Sequence, residues 1–230
     1  MPRNIIDKLA WWIPIKSLRD KFRNNIKKYI IDNYKYIKQT NNSRIVNKYL
    51  TGLKGIEIGR SAYADYGIDA LNIDIIDISS DKNNVYYLEQ IKSNSFIQNV
   101  DIISSGDDLP FKDSTLDFVF TSHVLEHFFD PIKALEEWYR VTKKDGYIFM
   151  IIPHKERTPD KDRERTTLQE LIGRHNGSIK SENENIHYMH HSVWITEDIL
   201  ELCKYLNYNV IEHHDMDDCR KDGFIIVIQK

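Results

Sequence analysis

Histidines are the side chains in this sequence best suited to proton transfer, because their unperturbed pKa of about 6.5 lies near physiological pH. The chain contains nine of them. His123 and His154 each follow an apolar run of strand length, and His190 and His191 precede the apolar segment 192–194. We expect at least one of these four to act as a general base, with His154 and His191 preferred and His123 as a further candidate.

Some of these histidines also form patterns that could bind a metal ion. Residues 123–127 read HVLEH, the H-x-x-E-H signature of one group of zinc peptidases. That motif needs a long helix and a distant glutamate, whereas here a strand precedes the first histidine and Pro131 soon begins another helix. Segments 187–191 (HYMHH) and 213–215 (HHD) show no complete ligand set. We therefore interpret HVLEH as a chance match and predict no metal site.

The stretch 101–154 supplies the elements that must position these side chains. Leu116–Phe120 is an apolar run of strand composition, and the pair Asp130-Pro131 has the residue types of a helix N-cap and first turn. The helix is predicted to end at Gly146, before a fully apolar strand over Tyr147–Ile152. This order predicts a strand–helix–strand unit of a parallel sheet.

The ends of these two strands are the candidate site. Ligands of open α/β sheets bind beyond the carboxyl ends of the strands. Ser122 and His123 follow the first strand, and His154 follows the second. We expect all three side chains to lie at the same edge of the sheet.

An earlier pair of strands has the outline of a nucleotide-binding unit. Residues 55–59 (GIEIG) predict a strand that ends in glycine, and Leu71–Ile75 predicts a second strand that carries Asp74. In such units the glycine lets the backbone approach the ligand, and the acid accepts hydrogen bonds from ribose hydroxyls.

The second half of the chain predicts the remaining elements. Residues 166–174 predict one helix, and Ile195–Asp198 begins another. Tyr208–Glu212 and Phe224–Gln229 are predicted to pair as antiparallel strands at one edge of the sheet.

The order of these motifs resembles the class I S-adenosylmethionine-dependent methyltransferases, and within them the methyltransferase type 11 group. The motifs are Glu57–Gly59, Asp74, 107–111 (DDLPF), 117–119 (DFV), 123–127 and Gly146. The resemblance spans roughly residues 53–230. It implies an α/β fold, a Rossmann-like doubly wound seven-stranded sheet with an antiparallel last strand, and S-adenosyl-L-methionine as the cofactor.

The resemblance also implies roles for individual residues. Glu57 matches the acid near the methionine part of the cofactor, and Asp74 matches the acid that binds its ribose. Asp107 or Asp108 should lie near the adenine amino group, although Ser105 could take that place. The other cofactor contacts that we predict are Gly59, Arg60, Ser61, Ser122 and His123.

The first loop departs from the usual pattern of this family. The G-x-G-x-G sequence is reduced to a single glycine in segment 59–62 (GRSA), and only 14 residues separate Gly59 from Asp74. A normal crossover helix with its loops needs about a dozen residues or more. We therefore expect a shorter, partly non-helical connection around the cofactor.

A basic run directly follows His154, and arginines bind phosphate through paired hydrogen bonds. This predicts an anionic acceptor, such as a nucleotide-linked or phosphorylated sugar. The alternative is a solvated loop whose charge is balanced by the four acidic residues of segment 156–164. The substrate-binding residues that we predict are Lys155, Arg157, Arg163, Arg165 and His190.

Charge divides the chain unevenly. Residues 1–54 hold 13 Lys/Arg and 3 Asp/Glu, whereas the other 176 residues hold 19 and 32. We predict a basic helical N-terminal extension over residues 1–50 and a methyltransferase domain over residues 51–230. The aromatic and basic residues of segment 1–28 could lie on an anionic membrane surface, or could instead pack on the domain or on a second copy in a homodimer.

Composition bounds the cellular setting. The 230 residues are 41% hydrophobic and 29% charged, which is typical of a soluble globular protein. Two cysteines, with no secretory signal in the sequence, favour a reducing cytoplasm, and the protein could associate peripherally with the inner face of the membrane. We predict no nucleic-acid partner.

We predict an enzyme that O-methylates a sugar or a phosphorylated or nucleotide-linked precursor of a bacterial surface polysaccharide. Residues 153–203 also resemble a branch of the family associated with surface-glycan or capsule genes. Two alternatives are a metal-dependent hydrolase built on HVLEH and the other histidines, and a catalytically inactive methyltransferase fold that serves as a binding module.

Overall fold

The computed structural model describes most of the chain. The described residues are 43–60, 66–77, 87–88, 98–183, 186 and 188–230. Within them the α-helices are α1 (Arg44–Leu50), α2 (Pro131–Val141), α3 (Leu168–His175) and α4 (Thr196–Tyr205). The strands are β1 (Gly55–Ile58), β2 (Ala70–Asp74), β3 (Ile102–Ile103), β4 (Leu116–Ser122), β5 (Thr142–Pro153), β6 (Asn209–His214) and β7 (Gly223–Gln229).

All of these strands belong to one sheet. Their order is β3-β2-β1-β4-β5-β7-β6. The pairs from β3 to β5 are parallel, and β7 runs antiparallel to both of its neighbours. The predicted Rossmann-like α/β sheet of seven strands with an antiparallel last strand is confirmed.

The central strands are apolar on both faces, because both faces are covered. Successive side chains of a strand point to opposite faces of the sheet. On one face, Ile56, Val119 and Ile148 join the core formed with α2, α3 and α4. On the other face, Phe118, Phe120 and Phe149 pack with Val46 and Leu50 of α1.

Helix α2 begins as the sequence predicts. Asp130 accepts a hydrogen bond from the Lys133 backbone N–H at 3.0 Å, and Pro131 occupies the first turn, where its missing N–H costs nothing. The predicted apolar face is buried, and it consists of Ile132, Leu135, Trp138 and Val141.

The predicted end of this helix at Gly146 is wrong. The helix ends at Val141, and β5 begins at Thr142 and continues through the glycine. A Cβ at Gly146 would lie 2.7 Å from the Asp117 carbonyl oxygen. The glycine is therefore needed because β4 and β5 approach closely there, and it does not stop the helix.

The remaining predicted elements are present with small changes in their bounds. Helix α3 starts at Leu168 because the Thr167 side chain caps it, accepting the Glu170 N–H at 3.2 Å. At the start of α4, Asp198 accepts the Ile195 N–H at 2.9 Å. The antiparallel pairing of β6 with β7 is confirmed.

Part of the predicted N-terminal extension lies outside the described residues, which begin at residue 43. The membrane or dimer contact of residues 1–28 therefore stays a prediction. Helix α1, at the end of the predicted extension, packs onto the sheet through Val46 and Leu50. Among the described helices, none has the length and apolar character needed to cross a membrane.

The contact between α1 and the β6 edge should depend on pH. Hydrogen bonds from Lys48, Tyr49 and His214 lower the pKa of Glu212 to about 2. Because this folded-state pKa lies below the ordinary value of 4.5, the stabilisation is present above about pH 4.5 and lost as the pH falls through about 2.

We expect Glu212→Gln to lower the unfolding midpoint in denaturant at neutral pH, and to have a much smaller effect near pH 2.5. Glu201→Gln, an exposed glutamate of α4, is the matched control and should have little effect at either pH. An effect of Glu212→Gln that does not change with pH would contradict the role of this carboxylate.

Candidate active site

The carboxyl ends of four parallel strands lie side by side at one edge of the sheet. In the register of these strands, Ile58 pairs with Ile73 on β2 and with Thr121 on β4, and Ser122 pairs with Ile151 on β5. The edge therefore gathers segments that are far apart in the chain, at the position where ligands of such sheets bind.

The loop after β1 makes its turn in little space. Gly59 has a φ of +70°, and a Cβ there would lie 2.8 Å from a Val124 methyl group. Arg60 donates from Nε to the buried Glu57 carboxylate at 2.6 Å, and its backbone N–H donates to Asn72 Oδ1 at 3.2 Å. These contacts fix the start of a narrow cradle that suits a ligand approached closely by backbone.

Asp74 ends β2 at this edge. Its Oδ1 accepts the Ile75 backbone N–H at 2.7 Å. Burial raises the pKa of Asp74, and the hydrogen bonds from the backbone of Ile75 and Ile76 only partly offset this effect. The carboxylate is thus held in place and partly removed from water, as a group that binds hydroxyls must be.

The turn after β3 adjoins Asp74, whose carbonyl accepts the Ser104 N–H at 2.9 Å. Asp107 receives hydrogen bonds from the Ser105 hydroxyl and, at 2.9 Å, from Lys133 Nζ. Burial disfavours the ionised form of Asp107, but these two donors hold its pKa below the ordinary value. Asp108 is exposed. Asp107 is therefore the better ordered of the two predicted adenine-side acids.

Gly106 fits this turn tightly against the core. A Cβ there would lie 2.9 Å from Phe128 and 3.0 Å from Ile58. Its carbonyl accepts a hydrogen bond from the buried Trp138 indole at 2.8 Å. The turn is thereby tied both to α2 and to the end of β1.

A cavity of about 460 Å³ opens beside the Ser105–Asp107 turn. Its volume falls in the range of small-molecule sites. Its walls come from the turn, from the segment before α2 and from the segment after α3. The lining residues are Ser105, Asp107, His127, Phe128, Phe129, Asp130, Arg174, Gly177, Ile179 and Lys180.

At the end of β4, Ser122 and His123 make different contacts. The Ser122 hydroxyl lies 3.2 Å from the hydroxyl of the buried Tyr66. His123 has a φ of +56°, and its Nε2 lies 3.3 Å from Asp222 Oδ1, just before β7. The backbone of His123 is thus in the left-handed region, and its ring is directed toward β7.

His154, at the end of β5, is buried and uses both of its ring nitrogens. Nδ1 accepts the Glu156 backbone N–H at 3.1 Å, and Nε2 lies 3.4 Å from Asp215 Oδ1. Burial lowers the pKa of His154. The ring is therefore neutral near pH 7, with its proton on Nε2.

The segment around His190 and His191 folds back beside the end of β4. The His191 N–H donates to the Glu126 carbonyl at 2.7 Å, and its Nε2 lies 3.2 Å from the Ile186 carbonyl. His190 Nδ1 lies 2.6 Å from Asp160 Oδ2. Both predicted histidines are therefore near HVLEH, although 62 residues lie between His127 and His190 in the sequence.

Glu126 and His127 of HVLEH have strongly shifted pKa values. Burial raises the pKa of Glu126 to about 8. Burial also lowers the pKa of His127 to about 4, and the nearby His190 adds to this shift. Both side chains are consequently uncharged near neutral pH. This is unusual, because a neighbouring acid and base normally favour each other's charged form.

The basic residues after His154 have partners within the chain. Each cation lies within 4 Å of a carboxylate, and Lys155, which also contacts a carbonyl, pairs with Glu156 at 3.5 Å. The pairs are Lys155 with the Lys161 carbonyl, Arg157 with Asp215 at 3.2 Å, Arg163 with Asp160 at 2.8 Å and Arg165 with Asp198. Their role in binding an acceptor stays a prediction.

The structure thus brings most of the predicted cofactor residues to one sheet edge. Those at the ends of β1 and β2 and in the turn after β3 are Glu57, Gly59, Arg60, Asp74, Asp107 and Asp108. Ser61 lies outside the described residues. His123 and His154 contact Asp222 and Asp215, which lie at the two ends of the segment that connects β6 to β7.

Sequence reasoning missed several residues that the structure places at or beside this edge. Tyr66 gave no signal, because an isolated tyrosine between strands has no pattern. Glu126 and His127 did give one, the HVLEH motif, but it was interpreted as a chance match. Asp160 was counted only as a charge that balances the basic run.

Comparisons with known proteins agree with this architecture. Residues 57–150 match the family model described as a methyltransferase domain. An uncharacterized methyltransferase of Schizosaccharomyces pombe is 55% identical over 40 residues, which are 17% of this chain and 14% of that protein. An uncharacterized protein of Methanocaldococcus jannaschii is 47% identical over 49 residues, or 21% of this chain and 24% of that protein. The matches thus span a quarter or less of these curated relatives.

Among solved structures, a SAM-dependent methyltransferase of Methanosarcina mazei has the same fold. Its TM-score is 0.52 at 17% identity, over 81% of this chain and 97% of that chain. The agreement of the methyltransferase-domain match over residues 57–150 with this fold supports a methyltransferase. It does not favour a metal-dependent hydrolase or an inactive binding module.

The buried Glu126 should make the stability of the protein depend on pH. Its folded-state pKa of about 8 exceeds the ordinary value of 4.5. The stability contributed by the protonated carboxyl is therefore fully present below about pH 4.5 and is lost as the pH rises through about 8. Above that pH the folded protein must hold a buried, ionised carboxylate.

We expect Glu126→Gln to stabilise the protein relative to wild type at about pH 8.5, by on the order of a few kcal/mol, and to have little effect at about pH 5. Denaturant unfolding of the metal-free protein, in the presence of a chelator, measures this at both pH values. Glu136→Gln, an exposed glutamate, is the control and should show no such difference. An equal effect of Glu126→Gln at both pH values would contradict the pKa shift.

Proposed function

We propose that this protein is an S-adenosylmethionine-dependent methyltransferase that methylates an oxygen of a sugar, or of a phosphorylated or nucleotide-linked precursor of a bacterial surface polysaccharide. The observation that carries the enzyme class is the set of acids and the glycine turn at the carboxyl edge of this sheet, within the matched segment 57–150.

The residues at this edge fit the cofactor. Gly59 and Gly106 allow the chain to turn tightly at both ends of the cradle, because a Cβ at either position would collide with a core side chain. In this arrangement Asp74 accepts hydrogen bonds from the ribose hydroxyls, and Asp107 lies near the adenine. Glu57, paired with Arg60, lies nearest to the methionine part. When bound, the cofactor supplies an electrophilic methyl group on a sulfonium.

The chain must then hold the acceptor and take its proton. The acceptor oxygen gains the methyl group, the C–S bond breaks with its electron pair on sulfur, and the hydroxyl proton passes to a base. His191 is our first candidate for this base, with His123 beside Ser122 at the cofactor side. His154 is the other predicted base, and it can accept the proton only on Nδ1, after that atom releases the Glu156 N–H. Orienting the acceptor provides much of the rate, and a base adds about 10²–10⁴-fold.

The class of acceptor is supported by charge and by resemblance. Arg174 and Lys180 line the cavity together with Asp107 and Asp130, and Arg174 also pairs with Glu170. An anionic group in the cavity would therefore contact Lys180 first. The predicted acceptor residues Lys155, Arg157, Arg163, Arg165 and His190 each have a partner within the chain. The resemblance of residues 153–203 to a surface-glycan branch favours a sugar precursor.

The setting follows from the same proposal. An enzyme that acts on such precursors works in the cytoplasm, and the basic segment 1–28 would hold it peripherally at the inner face of the membrane or join two copies. Deletion of residues 1–28 would decide between these, because only membrane binding would change sedimentation with anionic vesicles. No nucleic acid takes part.

Cofactor binding is expected to depend on Asp74. Calorimetric titration with S-adenosylhomocysteine should show binding to the wild type and an affinity about 10–100-fold weaker for Asp74→Asn, the range for losing hydrogen bonds to a charged group. Asp113→Asn, which changes an exposed aspartate paired with Arg140, is the matched control. No binding by the wild type, or equal affinity in all three proteins, would refute the cofactor site.

Methyl transfer is expected to depend on one of the two candidate bases. With radiolabelled donor and a panel of nucleotide and phosphorylated sugars, His191→Gln or His154→Gln should lower kcat by about 10²–10⁴-fold and leave cofactor affinity unchanged. His213→Gln, on the β6 edge, serves as control. If neither substitution changes kcat or its pH profile, the base is another group.

A further inference from the structure

Two histidine patterns that are incomplete in the sequence meet in the structure. Glu126 and His127 come from HVLEH, and His190 comes from HYMHH. One carboxylate oxygen and one ring nitrogen from each histidine lie within 4.8 Å of one another. From Glu126 Oε1 to Nε2 of His127 the distance is 3.8 Å, and to Nε2 of His190 it is 4.0 Å.

Glu126 is the most informative member of this group. The residue is 1% exposed, and both of its carboxyl oxygens are buried without a hydrogen-bond partner among the described residues. Burying a carboxyl group without such partners costs free energy, so these groups normally pair or coordinate a metal. Its Oε1 lies within 4.0 Å of Nε2 of both imidazoles, so the three groups converge on one point.

The two imidazoles are oriented as metal ligands are. His127 Nδ1 lies 3.1 Å from the Met189 carbonyl, and His190 Nδ1 lies 2.6 Å from Asp160 Oδ2. Each Nδ1 therefore carries the proton, and each Nε2 presents its lone pair. Metal-bound histidines almost always donate their other N–H to a carbonyl or a carboxylate in this way.

The support for His190 extends one step further. Arg163 donates to Asp160 Oδ1 at 2.8 Å and to the His190 carbonyl at 2.9 Å. It thereby fixes both the carboxylate and the backbone of the histidine that this carboxylate orients. These hydrogen bonds from arginine to aspartate and from histidine to aspartate hold the His190 ring in one orientation.

We propose that Glu126, His127 and His190 bind one divalent transition-metal ion, with Zn²⁺ the best match. Two imidazoles and one carboxylate suit zinc and related metals, whereas Ca²⁺ and Mg²⁺ prefer all-oxygen sites. Ligand atoms around a tetrahedral ion with bonds of about 2.0 Å lie about 3.3 Å apart. Small side-chain rotations would bring the present distances to that value.

The proposed site adjoins the cavity, since His127 belongs to both. Three protein ligands leave a fourth position for water or for an oxygen of a bound molecule. A metal there would orient a hydroxyl or phosphate oxygen of the acceptor, which rests on the proposed function. Metal binding itself does not rest on it, because it is measured without cofactor or acceptor.

The test is equilibrium dialysis of the chelator-stripped, full-length chain against Zn²⁺, with the bound metal determined by mass spectrometry. Wild type should bind one ion per chain. Glu126→Gln and His190→Ala should each weaken the affinity at least about 100-fold, and Asp160→Asn by about 10–100-fold. Co²⁺ in place of Zn²⁺ should give the visible absorption of a four-coordinate site in wild type, and not in Glu126→Gln or His190→Ala.

Controls make each result decisive. His214→Ala removes a histidine that pairs with Glu212 at 2.8 Å but has no second imidazole within a metal-sized group of the described residues, and it should bind like wild type. Circular dichroism identifies any misfolded variant, and Asp160→Asn, which keeps all three ligands, decides the case if His190→Ala misfolds. Two results would overturn the proposal: a wild type that does not bind stoichiometric Zn²⁺, or Zn²⁺ affinities of Glu126→Gln, His190→Ala and Asp160→Asn that all equal the wild-type affinity.

Discussion

Burial of the central strands on both faces is the constraint from which the rest of this structure follows. Because β1, β4, β5 and β7 are covered by helices on one side and by α1 on the other, their side chains are almost all apolar. Polar groups with a chemical role can then appear only where the strands end. The glycine turn after β1, Asp74 and Ser122 occupy these ends, and the protein has nowhere else in the sheet to place them.

The same constraint explains what could be predicted from the sequence. Apolar runs of strand length identified the central strands, and the rule that ligands bind at carboxyl ends placed Asp74 and Ser122 correctly at one edge. The prediction that α2 ends at Gly146 was wrong, because a glycine that follows a helix and a glycine where two neighbouring strands lie close together look alike in the sequence. Only the distance to the Asp117 carbonyl distinguishes them.

Contacts between distant loops could not be predicted. The basic run after His154 predicted an anionic acceptor. In the folded protein its arginines pair with Asp160, Asp198 and Asp215, and these pairs depend on how the loops fold. Likewise, nothing local indicates that His190 returns to Glu126. The Glu126 carboxyl of HVLEH becomes unusual only in the folded protein, which buries it beside His190.

The carbonyl of Glu126 accepts the backbone N–H of His191 at 2.7 Å and of Ser192 at 3.3 Å. The loop after β4 and the segment before α4 are therefore clamped at one point, and Arg174 reinforces this clamp through the His191 carbonyl and the Ser192 hydroxyl. Residues 177–183 follow α3 outside this clamp and include three residues that line the cavity. Their side chains can accordingly vary through evolution or engineering, which would change the walls of the cavity while the clamp keeps its shape.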